Sequence, residues 1–196
     1  MERGLLFVVS GPSGVGKGTV IEALMKEYDE INYSVSATTR EPRAGEIDGE
    51  DYYFLSEEEF FMMEEKGEFI ESACVHNNYY GTPRSQVLGC MDRGEDIILE
   101  IDIQGANQVK EEFNNCILIF LLPPSFKELE KRLKKRGTES QRCRKIRLKN
   151  AREEIEATVT FDYEIVNDNL RNTVEEVKRI IKKEKMKKRG SESHDN

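Results

Sequence analysis

The residues best suited to chemistry come early: Gly11-Pro12-Ser13-Gly14-Val15-Gly16-Lys17-Gly18-Thr19, directly after the apolar run Leu5-Leu6-Phe7-Val8-Val9. A buried strand, a glycine-rich turn and a lysine opening a helix form the layout of a phosphate-binding loop. Glycines at 11, 14 and 16 let the backbone curl so that N–H groups converge on phosphate oxygens. The helix adds its free amides and positive dipole end, and Lys17 supplies a mobile cation. The strict pattern has Ser or Thr next to the lysine to reach Mg2+. Here Gly18 takes that place and the hydroxyl comes at Thr19, so Mg2+ is expected through nucleotide phosphates and water.

A second set of residues suits an acceptor. Arg40 and Arg43 flank Pro42, ahead of Tyr52 and Tyr53. Two guanidiniums on a proline-braced turn fit bidentate capture of a phosphate, or form a surface pair beside a strand. Glu71 and Asp102 lie in or at the end of apolar stretches, where an unpaired carboxylate is costly. Each calls for donors. Guanine offers adjacent N1–H and N2–H2 groups that adenine lacks, and an arginine in a structural ion pair is the alternative.

The elements that must position these groups read as follows. Leu5–Val9 and Ile117–Leu122 are continuous apolar runs and Ile97–Asp102 is an apolar run ending in carboxylates; all three are expected as buried strands. Lys17–Tyr28, Ser125 to about Arg136, and Thr173 to about Lys187 show helical periodicity. A further helix is expected from Thr138, and a short strand at Tyr163–Val166. Tyr33–Arg40 is β-prone, Asp51–Leu55 reads as a strand, and Ser56 with Glu59 is a capping-box start for a helix to about Lys66. Glu68–Val75 and Asn78–Gly81 read as strand and turn, and Ser85–Arg93 as a helix closed by Gly94. Residues Arg189–Asn196 are expected to fray. Strands alternating with helices predict an α/β fold on a parallel sheet, whose ligands collect at the carboxyl ends of the strands.

With 196 residues the chain suits one domain. Its net charge of −8 conceals an asymmetry: Lys131–Arg152 holds eleven basic residues and one acidic, leaving 19 basic and 37 acidic elsewhere. A +10 segment calls for an anionic partner, nucleic acid or polyphosphate, and the acidic remainder argues against a general nucleic-acid surface. No apolar run is long enough for a membrane span or a signal core. The four unpaired-looking cysteines suit a reducing cytoplasm. Two histidines leave little room for histidine chemistry.

Taken in order, these segments resemble the guanylate kinase family. They are Gly11–Lys17, Ser34–Arg40 with Pro42-Arg43, Gly49-Glu50-Asp51-Tyr52-Tyr53-Phe54, Phe69-Ile70-Glu71, Asn78-Tyr79-Tyr80-Gly81-Thr82, Glu100-Ile101-Asp102-Ile103-Gln104-Gly105, Arg136-Gly137-Thr138-Glu139 and Val166-Asn167-Asp168. The resemblance implies a three-layer P-loop kinase fold over residues 4–182: a core of 4–35, 96–125 and 156–182, a mixed α/β GMP-binding lobe of 36–95, a helical lid of 126–155, and a charged tail. It implies phosphoryl transfer from ATP to GMP with Mg2+, with a phosphopeptide-binding inactive module or a related kinase as rivals. Ser36, Glu71, Thr82 and Asp102 match positions that read guanine, and Arg40, Arg43, Tyr52 and Tyr80 those that hold the GMP phosphate. Lys17 with residues 11–19 matches the ATP phosphate site, Asn167 a position near adenine, and Arg132, Arg136 and Arg147 the lid and phosphate clamp. Thr19, Glu100 and Asp102 are the candidate metal contacts. Glu100 in place of Asp and the basic run Gln141-Arg142-Cys143-Arg144 depart from the family pattern. Oligomeric state is not legible.

Overall fold

The computed structural model describes residues 3–75, 77–135, 148, 149, 151, 152 and 161–192. Five strands form one sheet in the order β2-β7-β1-β8-β9: β1 Leu6–Ser10, β2 Asn32–Tyr33, β7 Ile97–Glu100, β8 Ile117–Leu122 and β9 Tyr163–Val166. The registered pairs β2–β7 and β8–β9 are parallel. Every residue of β1, and all but the last of β7 and β8, is buried. Strands covered on both faces have no alternating pattern, which is why these runs are uninterrupted in the sequence.

Two compact units make up the chain: one comprises the stretch to Val8 with Glu30–Leu118, the other Val9–Asp29 with the chain from Ile119. The first unit carries a second sheet, β4-β3-β6-β5, from β3 Ala37–Thr38, β4 Tyr53–Phe54, β5 Phe69–Val75 and β6 Asn78–Pro83. β3–β4 is parallel; β3–β6 and β5–β6 are antiparallel. Phe60 and Phe69 stack at 4.7 Å beneath it. Helix α2 (Glu57–Glu65) starts on the expected capping box: Ser56 Oγ accepts from the Glu59 N–H, and the Glu59 carboxylate accepts from the Ser56 N–H. Helices α3 (Arg84–Asp92) and α4 (Ile103–Glu112) complete this unit.

The second unit holds α1 (Lys17–Glu27), α5 (Phe126–Lys135) and α6 (Leu170–Glu192). Val174, Val177, Ile180 and Ile181 form the buried stripe of α6, and Leu129 and Leu133 of α5 pack with Ala151. No helix among the described residues is long and apolar enough to cross a membrane.

Several sequence expectations are corrected. Tyr33–Arg40 is two short strands in different sheets, because Ser34 N–H bonds to Ile98 O while Tyr53 N–H takes Ser36 O. Asn78–Gly81 is strand rather than turn. The strand at 51–55 is only Tyr53–Phe54, since Asp48 and Asp51 carboxylates accept the N–H groups of Phe54 and Ile47 and shape the preceding residues as a loop. Helix α6 continues to Glu192 instead of fraying at Arg189. The α4 helix was not expected. The segment expected as a helix from Thr138 lies mostly outside the described residues.

Candidate active site

In the first unit, the β5–β6 pairing places Glu71 directly across from Thr82. Thr82 Oγ1 donates to Glu71 Oε1 at 2.6 Å, with the two residues 0 % and 4 % exposed. Burial pushes the Glu71 carboxyl up to about 7; the Thr82 hydrogen bond opposes that shift, and the nearby Asp102 charge adds to it. No Lys or Arg among the described residues pairs with it. Asp102 is the N-cap of α4: its Oδ1 accepts from the Gly105 N–H at 2.8 Å, and it too lacks a cationic partner among the described residues. Two carboxylates thus face each other's field, one capped by a hydroxyl and one by a helix amide. Such a pair accepts from a base edge rich in N–H groups.

The same unit builds an anion-seeking corner. Arg40 Nη2 donates to Glu46 Oε1 at 2.9 Å and Nη1 to Glu41 O at 2.7 Å. Its guanidinium lies 5.3 Å from the Tyr52 ring and 5.7 Å from the Phe54 ring, a desolvated cation–π seat. Tyr80 sits edge-on to Tyr52 at 6.1 Å. Burial, then the charge of Glu100, pushes the Tyr52 hydroxyl up to about 12, so it remains a proton donor at neutral pH. Arg43 donates its N–H to Glu46 Oε2 at 2.7 Å while its side chain is 57 % exposed. Glu46 therefore braces one arginine and the turn carrying the other. Burial pushes its carboxyl up, but the Arg40 and Arg43 bonds outweigh this and hold it below the usual range. The sequence does not point to Glu46, one acid in a polar loop where no helix or strand sets its spacing from Arg40. Ser36 is buried, and its carbonyl accepts the Tyr53 N–H at 2.9 Å.

In the second unit, the end of β1 (Val9-Ser10) runs into the glycine loop. Gly11, Gly14 and Gly16 all have positive φ. Gly16, the N-cap of α1 at φ 102°, leaves no room for a side chain: a Cβ there would stand 2.9 Å from Asn167 Nδ2. Lys17 Nζ donates back to Gly11 O at 2.6 Å, closing the loop. The Val15 carbonyl is the loop's anchor. It accepts from Asn167 Nδ2 at 2.8 Å and from Arg132 Nη1 at 3.0 Å. Thr173 Oγ1 donates to Asn167 Oδ1 at 3.0 Å, which turns the amide nitrogen toward Val15, and Arg132 Nη2 donates to Asn167 O at 3.0 Å. Arg132 thus uses two of its five N–H donors to brace the loop. Pro12 O accepts from the Val15 N–H, while Ser13 and Gly14 are half-buried and Gly18 and Thr19 exposed. Arg136 and Arg147 lie outside the described residues.

A family model described as "Guanylate kinase" matches residues 3–184. The chain belongs to the guanylate kinase family. It is 50 % identical over 187 residues to the guanylate kinase of Oceanobacillus iheyensis, covering 95 % of this chain and 91 % of that one. It is 48 % identical over 187 residues to that of Clostridioides difficile, with the same coverage of each chain. The crystal structure of guanylate kinase from Anaplasma phagocytophilum superposes with a TM-score of 0.79 at 37 % identity, covering 94 % of this chain and 88 % of that one. The guanylate kinase family is one of nucleoside monophosphate kinases, and the P-loop, parallel sheet and mixed second sheet described above are its fold in this chain.

Proposed function

We propose that this chain transfers the γ-phosphoryl group of ATP to GMP, and to dGMP, giving ADP and GDP. The observation that carries this reading is Glu71, a carboxylate 4 % exposed whose side-chain partner is the Thr82 hydroxyl. The cost of burying that carboxylate is offset when guanine N1–H and N2–H2 bind its ionised form, with Asp102 and Ser36 alongside. Adenine presents an acceptor at the corresponding ring nitrogen and is repelled. Arg40, Arg43, Tyr52 and Tyr80 hold the GMP phosphate, and the Gly11–Thr19 loop with Lys17 holds the ATP phosphates beside Asn167.

The obstacle to the reaction is the mutual repulsion of two polyanions, and phosphoryl transfer asks the protein chiefly for positioning and charge neutralisation. Lys17, Arg43, Arg132, Arg136 and Arg147 supply that charge; the remaining N–H donors of Arg132 serve the phosphates while two brace the loop. The +10 segment belongs to a lid over 126–155 that closes on the nucleotides, against a core and a GMP-binding lobe over 36–95. No general base is required, since the acceptor phosphate is already ionised. Among the described residues no group of three His, Cys, Asp or Glu side chains is gathered for a metal, Gly18 has no hydroxyl, and Thr19 is exposed. These residues suit an Mg2+ ion carried by ATP phosphates and water, which when bound neutralises phosphate charge. A cytoplasmic setting, where ATP and GMP both occur, suits this activity. Chromatography after mixing ATP, Mg2+ and GMP tests the reading: ADP and GDP form in equal amounts, and ADP without GDP would refute it.

A further inference from the structure

Helix α4 is clamped to β5 and its surroundings at two places. Gln108 Nε2 donates to Ser72 O at 2.8 Å and Gln108 Oε1 accepts from the Ser72 N–H at 3.1 Å, so a side-chain amide substitutes for a neighbouring strand. Near the helix C-terminus, Arg84 forks onto the Glu112 carboxylate while its other N–H groups hold Gly67 O and Phe69 O at 3.0 Å. In the first turn of the same helix stands Gly105, buried and with no positive φ. Glycine is among the weakest helix formers, so the backbone gives no reason for it here. Space does: a Cβ at Gly105 would stand 2.2 Å from Glu71 Oε2 and 2.8 Å from Glu71 Cδ. With α4 clamped, the helix cannot retreat, and the carboxylate would have to move. The same residue's N–H is what holds Asp102 Oδ1, at 2.8 Å.

We infer that Gly105 is a positioning residue that sets the placement of the Glu71 and Asp102 carboxylates, and through them selection of the acceptor base. Its bare Cα lets one carboxylate lie against the helix while its N–H fixes the other. This rests on the reading of Glu71 and Asp102 as the guanine-recognising pair.

The test compares wild type with Gly105→Ala, Glu71→Asp and the double variant, measuring kcat, KM for GMP and KM for ATP, with urea unfolding midpoints alongside. Gly105→Ala is expected to raise KM for GMP by about 10- to 100-fold, the range for a misplaced charge-assisted bond, with KM for ATP within about twofold. Glu71→Asp draws the carboxylate back by one methylene, so the double variant should bind GMP more tightly than Gly105→Ala alone. A Gly105→Ala enzyme with wild-type KM for GMP, or a double variant whose KM for GMP is no lower than that of Gly105→Ala alone, would overturn the inference. Should wild type make no GDP, the activity reading fails by itself. The clash is then judged on unfolding, where Glu71→Asp must restore the midpoint lost in Gly105→Ala. Failure to restore it counts against the inference, including where Gly105→Ala does not fold.

Discussion

Replacing Thr82 with Val removes one hydroxyl and leaves the volume nearly unchanged. The lost group is the 2.6 Å donor to Glu71 Oε1, in a place where Thr82 is 0 % exposed. A hydrogen bond to a charged group is worth about 1.5–3 kcal/mol, and the lower figure corresponds to a rise of about one pKa unit. Glu71 starts at about 7, so at pH 7 its ionised share falls from about half to about a tenth. Only the ionised form accepts two guanine N–H groups. The KM for GMP of Thr82→Val relative to wild type should therefore be about fivefold at pH 7, about ninefold at pH 6 and close to one at pH 9. GMP's own phosphate ionisation cancels in that ratio. GDP formation measured by chromatography across this range supplies the numbers. A ratio that stays flat from pH 6 to 9 would refute the claim that ionisation of Glu71 governs base binding.

Other consequences follow from the same geometry. Without nucleotide, the raised Glu71 pKa makes the folded state bind the extra proton, so this group's contribution to stability is fully present below about pH 4.5 and lost as pH rises through about 7. Urea unfolding should show the stability difference between Glu71→Gln and wild type changing by about 3 kcal/mol over that window, and a constant difference would contradict it. Asn167→Ala deletes the bond to Val15 O and one of the two acceptors of Thr173 Oγ1; it should lower stability by about 1–3 kcal/mol and raise KM for ATP while sparing KM for GMP. Gly16→Ala forces a side chain onto φ 102° against Asn167, so a loss of about 1–3 kcal/mol with weakened ATP binding is expected by thermal melt and kinetics. Glu46→Ala frees Arg40 and the Arg43 turn together and should raise KM for GMP by about tenfold, with kcat far less affected.

The parts legible in the sequence are those whose physics is local or one-dimensional. Buried strands show as unbroken apolar runs, the α2 start shows as Ser56 and Glu59 three apart, and the phosphate loop shows as three glycines before a lysine. Helix α4 was illegible because Gly105 and Asn107 weaken its propensity and because what fixes it is tertiary: Gln108 on Ser72 and Arg84 on Glu112. The burial of Glu71 was anticipated from its apolar neighbours, but its partner was not, since Thr82 is paired only through the β5–β6 register. The family resemblance implies a lid and phosphate-clamp role for Arg132, but its bonds to Val15 O and Asn167 O depend on residues over thirty positions away. No periodicity announces such contacts. Glu46 escaped for the same reason, lying in a loop whose shape is set by Asp48, Asp51 and two glycines of positive φ.

The most direct measurement offers GMP, AMP, CMP and UMP separately to the protein with ATP and Mg2+ and follows ADP release. Release with GMP alone is the predicted result. Release with another monophosphate would contradict base selection by the Glu71 and Asp102 pair, and release with none, from folded protein that binds GMP, would contradict phosphoryl transfer itself.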